Sequence, residues 1–492
     1  MNKTNLCILH TNDTHSYLEE FGKRAALVQE IKQKNTSKNI HTLLVDSGDV
    51  FSGTMYFTMY QGKKEAELMN MLGYDAMTFG NHGFDLGSKA LADFLKIIHF
   101  PMISSNVICT QDADLKDYVG TKIVPYQMLD LENGERIGLF GMTTPSTVES
   151  ASPSEDIIFA DPKQTAETMV NMFHAHGINK IILLSHLGDN EDAVLAEQVS
   201  GISLIVGAHT HRVLQEPLKI RHQETQFETV IVQAGSYGEY LGQVDLTFDT
   251  VSGELQQVTA CLHDIAAYPQ VDSAVQEVIE TIKYERHQLA TQKIVDNAKK
   301  IDGNRLALRK SETVLGNIIA DAYFYHAQKQ GFSPDFAVVN SGGIRNSLPA
   351  GEVTFGDIVK ILPFSKTLKV LSITGKMLMD ALQKGLYPQV SQLQVTYDYE
   401  KPKGQQLVES KLIKGDRLLA IDENKNYILA TNSFVGIGKD GYKAFKQAEV
   451  LFAGEELDVH ILTDYLQHMP QPVRFPEEQR IMIKNVAQVS EK

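Results

Sequence analysis

In the first half of the chain one pattern recurs: a short apolar run stops abruptly in a loop that carries Asp, His or Asn. LCILH leads to Asp13-Thr14-His15, HTLLVD to Gly48-Asp49, DAMTF to Gly80-Asn81-His82, KIILL to Ser185-His186, and SLIV to His209-Thr210-His211. Amphipathic segments separate these runs: RAALVQEIKQ, EAELMNMLG, KALADFLKII and DPKQTAETMVNMFHAHG. Such alternation predicts an α/β domain whose helices cover a sheet. In the last of these segments Asp161 and Pro162 suit the N-cap and first turn of a helix, and Gly177 its end. Functional residues of α/β sheets gather at the carboxyl ends of strands, so the five loops are expected at one edge although they are far apart in sequence. TVIVQAGSYGEYLGQVDLTFD ends in apolar–polar alternation, which predicts antiparallel strands closing this domain.

The residue types at these loops suit metal ions. Asp13 and His15 are two apart, as are His209 and His211; at the period of a strand both members of each pair point to one side. Each pair could serve one ion or straddle two ions about 3.5–4 Å apart. Asp49 stands alone, and a carboxylate has two oxygens with which to bridge. Asn81 offers a neutral amide oxygen. A mixed imidazole, carboxylate and amide set favours Zn, Mn, Fe or Co over Mg or Ca. His10, His41, His99, His174, His176 and His326 fall outside the pattern.

The net charge of −15 argues against a nucleic-acid or anionic-membrane binder, which would carry a basic face. Two divalent ions with Asp13, Asp49 and one hydroxide would nonetheless leave a local charge of roughly +1. That attracts a phosphate dianion, and the metals would bring a bound water to a pKa of about 7. The expected cofactors are therefore two divalent metal ions. The expected partner is a small anionic molecule, with neither nucleic acid nor membrane involved; monomer and homodimer remain equally open. The three cysteines, Cys7, Cys109 and Cys261, have no paired spacing, which suits a reducing compartment. The N-terminal segment has no signal-type apolar stretch, and the expected location is the cytoplasm.

Residues 270–297 contain neither Gly nor Pro and place apolar residues at helical spacing. They read equally well as a helical connector or as one more core helix. The second half starts near Ala298, where VLGNIIADAYFYHAQ and KMLMDALQKGL read as helices. FAVVNSGGIR reads as a strand entering a Gly-rich turn, and KVLSITG, QLQVTYDY and NYILATNSF as strands.

Taken in order, HTNDTH, DSGDVFSG, GNHGFD, SHLG and GAHTH resemble the calcineurin-like metallophosphoesterases. With NSGGIR, ILPFSKTL and SFVGIGKDGY in the second half, nearly the whole chain resembles the two-domain 5′-nucleotidase family, including its bifunctional UDP-sugar hydrolases. The resemblance implies an α/β fold, α+β overall: an N-terminal four-layer sandwich of sheets flanked by helices over 1–265, a helical linker over 266–297, and a C-terminal α/β nucleotide-binding domain over 298–492. It implies Asp13, His15, Asp49 and His211 at one metal and Asp49, Asn81, His186 and His209 at the other. His82 would stabilise the transferring phosphoryl group, oriented by Asp85. Arg309 and Arg345 would hold phosphate oxygens, Gly342 and Gly343 would let the backbone approach the ligand, and Asn340 would contact the nucleoside. Phe364 and Phe434 would sandwich the base and Asp440 would accept hydrogen bonds from the ribose.

The chain departs from the family pattern at Gly83, Ser341, Ser365, Lys366 and Lys439. Those changes spare the metal residues and bear on the preferred substrate; Lys366 and Lys439, if they face the site, favour a more highly charged one. The expected activity is release of phosphate from nucleoside 5′-monophosphates by a hydroxide held between the metals, with the halves rotating about the linker. UDP-sugar pyrophosphate hydrolysis and 2′,3′-cyclic nucleotide phosphodiester hydrolysis are the alternatives on the same metals. A non-catalytic nucleotide sensor is the alternative of a different class, and has no need of His82.

Overall fold

The computed structural model describes residues 3–484 except 132, 251 and 310. The chain divides into two compact units, Met1–Glu285 and Arg286–Lys492.

The first unit is built on two sheets. In the seven-stranded sheet Lys3–Thr11 lies parallel to His41–Asp46 and antiparallel to Tyr240–Asp249. In the six-stranded sheet Arg136–Thr143, Ile181–His186, Leu204–Val206 and Glu228–Val232 run parallel to one another, and an antiparallel strand flanks them on each side. Successive side chains on a strand face opposite ways, and this sorts the core into layers. Leu6 and Ile8 pack with Ile182, Leu184 and Val206 between the sheets. Cys7 and Leu9 turn the other way, onto Leu27, Val28 and Ile31 of the helix Phe21–Thr36. Ile181, Leu183 and Ile205 turn outward onto Val170 and Phe173 of Pro162–Ala175 and Leu195 of Asp189–Gln198. The result is helix, sheet, sheet, helix: the four-layer sandwich. Each aliphatic side chain buried there contributes roughly 1.5–3 kcal/mol of transfer free energy.

Local signals set the helix ends. The Asp161 carboxylate accepts the Gln164 N–H at 2.9 Å, Pro162 occupies the first turn, and Gly177 follows with φ +72°. Helix Ser273–Ala290 buries Val275, Ile279 and Ile282 against the first unit's helix-side core. The helical pattern stops short of residue 297. Lys293–Asn297 is a strand paired antiparallel with Gly351–Thr354, because β-branched Ile294 and Val295 favour the extended form once a partner strand is available.

The second unit carries a five-stranded sheet ordered Pro388–Ser391, Phe336–Asn340, Asn426–Asn432, Thr367–Thr374, Glu449–Leu457. Helix Val314–Lys329 covers it, with Leu315, Ile318, Ile319 and Tyr323 buried. A four-stranded sheet, Arg417–Ala420, Leu407–Lys414, Leu393–Asp398 and Ile481–Lys484, shares a core with helix Gly375–Lys384 through Val395, Leu412, Leu378 and Leu382. No helix among the described residues is long and apolar enough to cross a membrane.

Candidate functional site

All five polar strand ends of the first unit converge. Asp13, His15 and His211 have ligand atoms within 4.8 Å of one another, as do Asp49, His186 and His209. The histidine pair is therefore split between two groups. The two-residue spacing does not act as a strand here, because His209 and His211 have φ +75° and +57°. Asp13, His15 and Asp49 also take positive φ, at +49°, +46° and +59°. Left-handed backbone at non-glycine residues is strained and concentrates at functional sites.

Several contacts hold the ligand atoms in place. The His186 Nδ1 is 2.7 Å from the Ser47 carbonyl and the His15 Nδ1 is 3.0 Å from the Phe51 carbonyl. With each Nδ1–H donating to its carbonyl, the Nε2 atoms face inward. The Asn12 amide donates to Asp13 Oδ2 at 2.7 Å, and the His209 N–H donates to the same oxygen at 2.9 Å. Buried Asp46 accepts from the Thr11 hydroxyl at 2.6 Å and the Gly48 N–H at 2.7 Å, which fixes the turn presenting Asp49. Gly80 has no room for a side chain, since a Cβ would stand 1.9 Å from Asp49 Oδ1.

The inward atoms fit divalent cations. His15 Nε2 faces His211 Nε2 at 3.1 Å. His186 Nε2 faces both Asp49 Oδ2 at 3.1 Å and Asn81 Oδ1 at 3.2 Å. Positive charge is what such a cluster lacks. Burial weakens His186 as a base, yet the Asp49 carboxylate overrides it and lifts the imidazole to about 9. Burial also opposes ionisation of Asp49, but His186 and His82 hold it well below the usual carboxylate range. Nitrogen and oxygen donors without a thiol suit Zn, Mn, Fe or Co.

His82 stands beside this cluster with its ring 5.2 Å from that of His15 and its side chain 35% exposed. Its Nδ1 lies 2.7 Å from Asp85 Oδ2, which also accepts the Ser52 hydroxyl at 2.5 Å. The His82 backbone N–H donates to Asp49 Oδ1 at 2.9 Å.

Two family models divide the chain between them. Calcineurin-like phosphoesterase matches residues 7–213, and the 5′-nucleotidase C-terminal domain matches residues 291–447. The chain belongs to the two-domain 5′-nucleotidase family of calcineurin-like phosphoesterases. The trifunctional nucleotide phosphoesterase YfkN of Bacillus subtilis is 35% identical over 97% of the chain, which spans 35% of that relative's length. The snake venom 5′-nucleotidase of Gloydius brevicauda is 28% identical, over 94% of the chain and 86% of the relative. A 5′-nucleotidase precursor from Thermus thermophilus has a solved structure with a TM-score of 0.66. It is 32% identical, covering 98% of this chain and 99% of that one.

The family's C-terminal residues draw together within the second unit. Asn340, at the end of its strand, donates through its amide to Asp440 Oδ2 at 2.6 Å. Its oxygen accepts from Asn432 and from the Lys366 ammonium, both at 3.0 Å. Lys366 stands 5.0 Å from the centre of the Phe434 ring, and the Arg345 guanidinium 4.6 Å from that of Phe364. Phe364 is 42% exposed. Gly342 and Gly343 line the same shelf: a Cβ on Gly342 would lie 3.2 Å from Asp440, and one on Gly343 2.8 Å from the Lys366 ammonium. Burial pulls the Lys366 ammonium down to about 8, against Asp458 and Asp440, which raise it. Burial lowers Arg345 as well, followed by repulsion from Arg305 and Arg309. Arg309 is exposed at the end of the short helix Arg305–Leu308. Arg305 escaped the sequence reading; its signal was the four-residue spacing to Arg309, one helical turn.

Proposed function

We propose that this chain is a metal-dependent phosphomonoester hydrolase that releases phosphate from nucleoside 5′-monophosphates. The observation that carries this reading is the pair of ligand groups, Asp13–His15–His211 and Asp49–His186–His209, set beside His82. Asp49 and Asn81 complete the donor set, with Asp49 shared. Two divalent cations bound there would neutralise phosphate charge and make water acidic enough to act as a nucleophile near neutral pH.

The chain's own residues supply the rest. His82 donates a hydrogen bond to a phosphoryl oxygen where negative charge builds up in the transition state. Asp85 holds the imidazole in the donating orientation, and Ser52 holds Asp85. In the second unit Arg345, Arg305 and Arg309 form an electropositive group suited to phosphate oxygens. Phe364 and Phe434 offer ring faces to a base, Asp440 accepts from ribose hydroxyls, and Asn340 fixes Asp440. The functional division is 1–265 for phosphoryl chemistry, 266–297 as linker and 298–492 for nucleotide recognition.

Lys366 favours a second reading. Its ammonium reaches the Asn340–Phe434 shelf and adds a cation that a pyrophosphate-containing nucleotide sugar would use. The naming of the Bacillus subtilis relative as trifunctional supports more than one phosphoester type on such a framework. The unpaired cysteines support a reducing, cytoplasmic location.

The test is a hydrolysis screen of AMP, UMP, UDP-glucose and 2′,3′-cAMP, each crossed with Mn, Zn, Co and Mg, with inorganic phosphate, nucleosides and nucleotides resolved by chromatography. Fastest turnover of a 5′-monophosphate is the expected result; fastest turnover of UDP-glucose selects the second reading. No hydrolysis of any substrate with any metal rejects both.

A further inference from the structure

A cavity of about 350 Å³ lies within the second unit, lined by neither Phe364 nor Phe434, and its lining is unlike the rest of this acidic chain. Lys403 lines it, Arg309 of the phosphate-binding arginine group reaches the same lining, and among the described residues that line it none is acidic. Tyr387 and Tyr399, each 40% exposed, supply aromatic wall. The floor is apolar, with Leu382 and Ile481. Gln383 also lines it, and the buried side-chain nitrogen of Gln383 has no hydrogen-bond partner, although its oxygen accepts the Leu407 N–H at 2.8 Å. The volume lies within the range of small-molecule sites, which combine aromatic walls with a few polar groups. Cations without counter-carboxylates select an anion, and flat tyrosine faces select a planar ring.

We propose that this cavity binds a planar aromatic anion of nucleoside-monophosphate size, at a site separate from the substrate shelf. The segment that walls it also supports the shelf. The Leu386 N–H donates to the Asp440 carbonyl at 2.8 Å, and the Tyr387 carbonyl accepts the Ser341 N–H at 3.1 Å. Tyr387 holds φ +50°, a conformation that costs a non-glycine residue free energy and that a ligand packed on its ring would help to stabilise. A ligand in the cavity therefore contacts the segment that positions Asp440 and the Ser341–Gly343 turn.

The experiment is calorimetric titration of the full-length, metal-loaded protein with the phosphonate analogue of AMP, in which a methylene replaces the scissile ester oxygen. Two bound analogues per chain are expected. Tyr399→Ala with Lys403→Ala should weaken one of them at least tenfold and leave the other, with the melting temperature unchanged. Phe434→Ala should weaken the complementary one. A single site that is lost in Tyr399→Ala/Lys403→Ala but kept in Phe434→Ala would uphold the cavity and reject the shelf as the nucleotide site. Binding that is indifferent to Tyr399→Ala/Lys403→Ala, at one site or two, overturns the proposal. Inorganic phosphate and adenosine, titrated separately, should each bind at least tenfold more weakly than the analogue at the Tyr399/Lys403-sensitive site. Equal affinity for phosphate alone would overturn the planar-ring requirement.

Discussion

The His82 Nδ1 lies 2.7 Å from Asp85 Oδ2, three residues along the same turn, while the His82 backbone N–H is bonded to Asp49. One short segment thus orients a half-buried imidazole and ties it to a residue of the metal cluster. Asp85→Asn should lower kcat about 10–100-fold, the usual cost of removing a group that orients a catalytic side chain. His82→Ala should cost more, on the order of 10²–10³-fold. Steady-state kinetics of both variants decides this, with circular dichroism showing an unchanged fold. A larger loss for Asp85→Asn than for His82→Ala would contradict the assignment.

Gly80 is required by space, not by its backbone angle. A Cβ there would meet Asp49 Oδ1 at 1.9 Å and the Asp49 nitrogen at 2.2 Å. Gly80→Ala should push Asp49 away from His186, reduce metal content, and destabilise the first unit by about 1–3 kcal/mol. Elemental analysis after gel filtration, together with a thermal melt, measures both. Full metal content with wild-type turnover would mean that the loops absorb the methyl group without moving Asp49.

Phe434→Ala should separate nucleotide recognition from phosphoryl chemistry. Loss of base stacking costs about 1–3 kcal/mol, which corresponds to roughly a 5–150-fold rise in KM for AMP. Hydrolysis of ribose 5-phosphate, which has no aromatic ring to stack between the two phenylalanines, should stay within about twofold of wild type. Equal loss on both substrates would assign Phe434 to packing instead.

His10 gives a pH-dependent stability prediction independent of the metal residues. It is 1% exposed, its Nδ1 has no hydrogen-bond partner, and burial lowers its pKa from 6.5 to about 4. Above pH 6.5 it is neutral in both the folded and unfolded chain. As pH falls below 6.5 the unfolded chain takes up the proton first, and stability is lost until the folded imidazole is also protonated near pH 4. At pH 5 the loss is about 2 kcal/mol. His10→Gln should therefore lose less stability than wild type between pH 7 and pH 5 in parallel denaturant melts. Identical pH dependence of the two proteins would rule out His10 as the source.

Much of this architecture could be read from the sequence because it rests on local periodicity. The apolar runs before Asp13, Asp49 and His186 became strands, and Asp161, Pro162 and Gly177 bounded a helix as their cap chemistry requires. The division of His209 and His211 between two groups was not readable from spacing, since it depends on left-handed backbone at both residues. The strand Lys293–Asn297 was hidden within a helical pattern because its partner, Gly351–Thr354, lies more than fifty residues away. Arg305 was passed over although it lies one helical turn before Arg309, because the helix that joins them is only four residues long. Lys366 could be noticed as a departure, but its placement over Phe434 needed the fold.

We propose that Asp13, His15, Asp49, Asn81, His186, His209 and His211 hold two divalent cations that phosphate release requires. Metal content per chain, measured alongside AMP turnover during chelation and refilling, tests it most directly. Two equivalents of Mn, Zn, Fe or Co per chain are expected, with turnover vanishing on chelation and returning on refilling. Asp49→Asn should lose both metal and activity while staying folded. A folded Asp49→Asn protein that retained two cations and wild-type turnover, or wild-type turnover in fully chelated enzyme, would contradict the account.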